Sequence, residues 1–464
     1  MTHIKISKGL DIPIKGKPEG EVQTLKASGE STSVIPQQIA LNLTPFSNIK
    51  FKVLVKQGES VKIGQPLVED RDVPGRMFCA PASGVIKDIQ RGHRRVITNI
   101  VIDVEKNEEH HSSQKMNVEN SSREQIIEAL KQGGIFSRIR TRPFNLVADP
   151  TKMPRTIFVR AIESAPLVPP AEIQVEGHEE DFQIGLDTLR KLTDGSVNLV
   201  YRQGTPCTAF TQAKNVTHHT AEGPHPIGNV SVHIDRIDPI KSAEEIIWTL
   251  NVHDVITLGH FVRTGHYYVD RVVSIAGPGF LEDRIGYYKV REGMPVSALI
   301  SGRLPGEQTA RLISGDPLMG SKVESDGFLG FNHFALCAIP ENEDREFLHF
   351  FRLGKDKYSF SKAYLSGHLD NSKRTYDFTT SLHGEHRAFI DSTLYDEVMP
   401  LPISTMLLVK AVMAEDYDLA AELGLITVDS EDFALPTFVC QSKMEMTEIM
   451  KAGLNQYAHD TLTG

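Results

Sequence analysis

The sequence has little thiol chemistry to offer. Its four cysteines, Cys79, Cys207, Cys337 and Cys440, stand more than a hundred residues apart. No CxxC pair exists, so neither a disulfide framework nor a zinc or iron–sulfur site is encoded by local spacing. A reducing cytoplasm is the natural compartment. Long apolar runs are missing too. The most apolar stretch, residues 401–413, is too short for a bilayer and carries Lys410, so a buried helix is expected there. The N-terminus has lysines with no apolar block after them, and no secretory signal is expected. No long basic run occurs, and a net charge of −10 argues against a general nucleic-acid binder. A P-loop and a GxGxxG following a strand are both absent, and Gly277-Pro278-Gly279 reads as turn punctuation.

What is present begins with residues 49–105. Phe51, Val53 and Val55 alternate with Lys52, Leu54 and Lys56, a strand period. Gly58-Glu59 and Gly64-Gln65 are turns, with Val61 and Leu67 as apolar anchors between them. A second half follows, with Ala80-Pro81-Ala82-Ser83-Gly84-Val85, a turn at Arg91-Gly92 and a strand over 95–105. The paired phrases resemble the biotinyl and lipoyl carriers, so a lipoyl-carrier-like β-sandwich is expected within a first domain, residues 1–105. Such carriers hold a modified lysine at the hairpin between the halves. Here that hairpin reads EDRDVPGRMF and has none. Lys62 and Lys87 fall inside the half-motifs as solvated strand residues, so the fold is expected to be a scaffold.

The remainder reads as an α+β multidomain chain, and 464 residues are enough for three or four domains. Residues 1–40 are expected to complete the first domain. Residues 106–122 are polar and read as a linker, with His110 and His111 solvated. An open α/β, Rossmann-like domain is expected over 123–254. It has helices at 122–132 and 180–192 and strands at 156–162 and 197–201. His218, His219, His225 and His233 crowd one region, but their spacing matches no common metal pattern. Residues 255–330 read as β-rich and β-grasp-like. In 331–464, strands give way to a helical C-terminal region, with helices over 394–415, 416–423 (closed by Gly424) and 444–454.

Seven phrases in order extend over essentially the whole chain. They are KISKGLDIPIKGKP, the lysine-less carrier fold, RTRPF, GPHP, FLGFNHFALCAIPENEDREF, HGEHRAFIDSTLYDEVMPLPI and LAAELGLITVDSEDFALPTFVCQSK. Together they resemble the A subunit of the sodium-translocating NADH:quinone oxidoreductase family. The order is also similar to the C subunit of the ferredoxin-linked complex and, more distantly, to the NADH-binding subunit of respiratory complex I. The resemblance implies a peripheral subunit on the cytoplasmic face of the bacterial inner membrane. It would be held there by partner subunits, including membrane subunits, of an assembly coupling NADH oxidation and quinone reduction to sodium export. The distant relatives cradle flavin with a GxGGAGFP loop, where this chain has QGGIFSRIRTRPFN. They carry ExEP where this chain has Glu163-Ser164-Ala165-Pro166, and clustered cysteines where it has only Cys440. The comparison therefore implies that no cofactor is bound by this chain. NADH, flavins, iron–sulfur centres and quinone would be used on or with partners, and the isolated chain would be inactive. A soluble α/β enzyme with its own small-molecule substrate is the alternative. A ferredoxin-type C subunit is disfavoured by the missing CxxCxxC.

The family is linked to a ubiquinone-type quinone, and a quinone site wants an aromatic wall and donors aimed at carbonyl oxygens. Phe136, Arg140, Arg142 and Phe144 supply both in one loop, with His225 of GPHP facing it. The competing expectation is that the arginines form structural ion pairs and the phenylalanines pack between domains.

Overall fold

The computed structural model describes residues 1–25, 36–306, 309–342, 351–370 and 373–463. The end of the FLGFNHFALCAIPENEDREF phrase, part of residues 1–40 and two residues of GEQTARLISGD lie outside the described residues.

Residues 38–104 form the expected sandwich. A four-stranded sheet orders Gln38–Asn42, Ile97–Val104, Gly84–Arg91 and Ser60–Val61. It faces a three-stranded sheet of Phe51–Val53, Pro66–Asp70 and Met77–Cys79. The inward residues Ile39, Leu41, Leu67, Phe78, Ile86 and Ile102 form one core, as strand alternation requires. The hairpin between the halves is docked rather than free. Arg76 pairs with buried Asp70, and its Nη1 donates to the Val147 carbonyl (2.7 Å) and the Ala148 carbonyl (3.2 Å) of the next domain.

The second unit is built on a seven-stranded sheet. Its order is His3–Lys5, Thr217–Glu222, Val197–Arg202, Thr156–Ala161, Ile247–Asn251, Arg140–Arg142 and Leu146–Val147. The first five strands are parallel and the last two antiparallel. The helix Arg123–Gln132 begins where its sequence signal stands, with Ser122 and Gln125 forming a reciprocal capping box. Helices Glu179–Lys191 and Val252–Thr264 pack together on one face. Gly185 and Gly259 make that approach possible, since a Cβ on Gly259 would lie 1.8 Å from the Asp181 carbonyl oxygen.

The third sheet has six strands, Ser321–Lys322, Ala310–Ser314, Ala335–Pro340, Asp270–Ala276, Gly286–Arg291 and Val22–Thr24. The short helix Val296–Ile300 packs on it through Val296 and Leu299. The C-terminal helices Thr405–Met413, Ala434–Val439 and Met446–Thr463 cover the other face of the seven-stranded sheet. There Leu408, Phe433 and Leu454 share a core with Ile4, Phe158 and Val200. The result is an α/β sandwich whose second helical layer comes from the far end of the chain.

Several expectations change. Residues 1–25 and 36–42 do not serve the first unit alone, for they place one strand in each of three sheets. The span expected to be β-rich from residue 255 opens inside the helix Val252–Thr264. Burial of both helix faces had hidden its period, since His253, Asp254 and Thr257 are buried alongside Val255, Ile256 and Leu258. The helix expected over 394–415 is two helices, Thr393–Val398 and Thr405–Met413, parted at Pro400 and Pro402. The polar linker is pinned in place, with His111 and Met116 N–H groups donating to the Ile63 and Val262 carbonyls. His110 and His111 are exposed, as expected.

Candidate functional site

Strands Val197–Arg202 and Ile247–Asn251 flank Thr156–Ala161 on opposite sides. The chain therefore adds parallel strands on both sides of Thr156–Ala161, and the carboxyl ends of such diverging strands leave a crevice. A cavity of about 680 Å³ opens there. Arg160, Glu163 and Ser164 line it from one strand end, and Thr249, Asn251 and Asp254 from the other. The sandwich adds Asp70 and Arg76, the third sheet Asp316 and Phe334, and the C-terminal region Asp429 and Glu431.

Four of the five residues singled out in the sequence meet in this cavity: Arg140, Arg142, Phe144 and His225. Phe136 does not. It is fully buried in the α/β core, edge-on to Trp248 with centroids 5.7 Å apart. It follows Gly134 by two residues in the turn Ile135–Arg138, which points it into the helix layer. Phe144 sits at a backbone φ of 76° and meets Tyr457 edge-on at 5.9 Å, so its ring is part wall and part core. Arg142 is buried and already engaged, donating to Ser231 Oγ (2.8 Å) and the Thr427 carbonyl (3.1 Å). Arg142 is thus structural, though through hydrogen bonds to a hydroxyl and a carbonyl and not through the ion pair expected.

Arg140 differs. Its guanidinium lies over the Phe46 ring at 5.0 Å, and among the described residues no carboxylate pairs with it. Burial pulls its pKa below the ordinary arginine value, opposed by the more distant Asp254 and Asp429. His225 is neutral at physiological pH, since burial and then Arg160 push its pKa down to about 4. Ser164 Oγ accepts from the Gly228 N–H and stands 2.9 Å from His225 Nδ1. This contact holds the neutral ring in place through Nδ1.

The opposite wall was not visible in the sequence. Arg160 stands between Glu163 (3.0 Å) and Glu431 (3.9 Å). Burial pushes the Glu431 carboxyl up to about 8 despite Arg160, with Asp429 and Asp432 adding to it. Glu163 and Asp316 are raised as well, burial again leading. These side chains come from residues 163, 316 and 431, too far apart for any spacing rule. The one signal was the ESAP phrase, where Glu163 was noted for what its neighbours lacked.

The glycine pair that survives from the flavin loop is occupied. A Cβ on Gly133 would lie 2.2 Å from the Phe261 ring, and Gly134, at φ 69°, backs onto Cys79 Sγ. Cys440 is buried with its Sγ 3.1 Å from Tyr395 Oη. Among the described residues no group of three or more His, Cys, Asp or Glu could hold a metal ion, and no helix is long and apolar enough to cross a membrane.

An N-terminal sandwich, a mostly parallel α/β sheet with a crevice at its switch point and a small mixed-sheet domain define a multidomain α+β protein. Three family descriptions match it in that order. They are the NqrA N-terminal barrel-sandwich hybrid domain over residues 4–105, the NqrA second alpha/beta domain over 121–267 and the NQRA C-terminal domain over 272–325. Relatives named as the A subunit of Na(+)-translocating NADH-quinone reductase match from end to end. The protein of Tolumonas auensis is 37% identical over 98% of this chain and 99% of its own. That of Chlamydia pneumoniae is 35% identical over 99% and 98%, and that of Yersinia pseudotuberculosis 36% over 98% and 99%. The chain belongs to the family of the A subunit of the Na(+)-translocating NADH-quinone reductase.

Proposed function

We propose that this chain is the peripheral, cofactor-free subunit of a sodium-exporting NADH:quinone reductase, on the cytoplasmic face of the membrane, and that its cavity receives the quinone ring. The observation that carries this reading is Arg140, a partly buried cation with no carboxylate partner among the described residues, in a cavity large enough for a quinone head. Quinone reduction develops negative charge on the ring oxygens, and a fixed cation in a desolvated site stabilises that charge more than it does the neutral ring. His225 is a neutral imidazole in the same cavity, and Phe144, Leu250 and Phe334 supply apolar wall. Glu431, whose carboxyl is pushed up to about 8, holds a proton near neutral pH where a reduced quinone could take it up, and burial raises its neighbour Glu163 in the same direction. The packing at Gly133-Gly134 speaks against flavin or NADH on this chain, because Phe261 and Cys79 fill the space a phosphate would need.

The test is Arg140→Gln in the assembled complex. Losing one charged hydrogen bond, about 1.5–3 kcal/mol, should raise the quinone KM roughly 10- to 100-fold. NADH oxidation with an artificial acceptor should stay unchanged. A photoreactive quinone should label peptides carrying Phe144 or His225. An unchanged KM with label confined to other subunits would overturn the proposal.

A further inference from the structure

Among the described residues, six of the fifteen exposed large hydrophobic side chains, Phe351, Leu353, Leu365, Leu369, Leu382 and Ile390, fall within residues 351–390. Leu382 is 64% and Ile390 84% exposed. The same residues carry seven Lys and Arg against four Asp and Glu, in a chain whose overall balance is 50 against 60. This is a basic, apolar island on an acidic protein, and part of it is the HGEHRAFI phrase, for which the cavity gives no role.

The segment has a held side and an open side. Tyr358, Tyr376, Phe378 and Phe438 form an aromatic cluster with centroids 5.5–6.4 Å apart. Tyr376 N–H donates to the Pro13 carbonyl, Lys15 pairs with Asp377 at 2.5 Å, and Arg387 N–H donates to the Ser442 carbonyl. The described residues are thus fastened to the body by one side. Stretches of the segment that carry exposed leucines lie against one another. Leu365 N–H donates to the Leu353 carbonyl at 2.8 Å, and Tyr364 meets His383, the neighbour of Leu382, at 6.0 Å.

We infer that this face is the docking surface for an acidic, apolar-faced segment of a partner subunit, an inference that rests on the chain working within a complex. Apolar side chains concentrated on a firmly held surface mark protein interfaces, and the excess of cations selects an acidic partner. Anionic lipid fits less well. Firm membrane attachment needs an amphipathic helix or a dense basic cluster. Here the apolar residues sit on loops and single 3-10 turns, none in an α-helix among the described residues, and Arg374 is already paired with Asp356 at 2.5 Å.

The test uses the whole complex. Leu382→Glu with Ile390→Glu should lower co-purification of this chain with the membrane subunits about tenfold, as loss of an interface anchor does. Leu419→Glu, an exposed apolar position on the helix Tyr417–Glu422, should not. Both patch positions are solvent-exposed, so the purified variant should melt with the wild type. Should it melt earlier, Leu382→Gln with Ile390→Gln replaces it, and loss of co-purification is still expected. Co-purification of the patch variants at the wild-type level would overturn this surface while leaving the chain's place in the complex intact. Flotation of the purified wild-type chain with phosphatidylglycerol vesicles, abolished by the same variants, would overturn the protein partner in favour of lipid. A wild-type chain that co-purifies with no membrane subunit would overturn the proposed place in the complex, and this surface with it.

Discussion

Removing Arg138, which also lines the cavity, should loosen the junction of the three sheets. The guanidinium is 1% exposed and pairs with Glu292 Oε2, whose side chain is 2% exposed. It also donates to Tyr267 Oη at 2.7 Å, faces Asp254 at 3.7 Å and lies over the Phe331 ring at 4.9 Å. Burial opposes its charge, but Glu292, Tyr267 and Asp254 outweigh that and hold its pKa above the ordinary arginine value. Arg271 reaches the same Glu292 at 3.5 Å. Arg138→Met would leave Glu292 buried with that one longer contact. Breaking a buried pair from one side costs about 3–5 kcal/mol, because the remaining charge keeps its desolvation penalty. Glu292→Gln should be costly for the mirror reason, stranding two arginines. Once one partner is gone, losing the other relieves an unpaired charge, so the double variant should cost less than the two singles together, by about 1–3 kcal/mol. Urea and thermal unfolding of all four proteins measure the cycle. Strictly additive losses, or a single-variant loss below about 1 kcal/mol, would refute a coupled buried pair at the junction.

Two further outcomes are expected. Phe136→Ala should destabilise the α/β unit by about 3–5 kcal/mol, as large-to-small changes in a packed core do, while leaving the quinone KM of the folded complex unchanged; a KM effect with intact stability would return Phe136 to the cavity wall. Glu431 makes stability depend on pH: its folded value of about 8 lies above the ordinary 4.5, so between them the native state holds a proton that the unfolded chain has lost. Its contribution is greatest below about pH 5 and is lost as pH rises through about 8. Glu431→Gln, a mimic of the protonated form, should flatten that decline in urea midpoints, and an unaltered pH slope would reject the assignment.

Elements whose signals are local were legible in the order of the residues. The sandwich follows from alternating apolar residues and from Gly58 and Gly64, both at positive φ, where turns were expected. The helix at Arg123–Gln132 follows from its Ser122 cap, and the end of Tyr417–Glu422 from Gly424 at φ 100°. RTRPF and GPHP could also be read as meeting at one place, since Arg140, Arg142, Phe144 and His225 line the same cavity, although Arg140–Arg142 is a strand and not the loop expected. The division of roles within each pair came from packing. Arg142 and Arg140 are two residues apart in one strand, on the same side of the pleat, yet one finds Ser231 and Thr427 and the other finds no anion. Phe136 and Phe144 are equal as sequence, but the left-handed Gly134 sends one into the core. The acid wall joins residues 163, 316 and 431. Its raised pKa values come from burial among neighbours that are near only after three sheets and the C-terminal helices have packed, because desolvation is a property of the assembled surroundings and not of the residue.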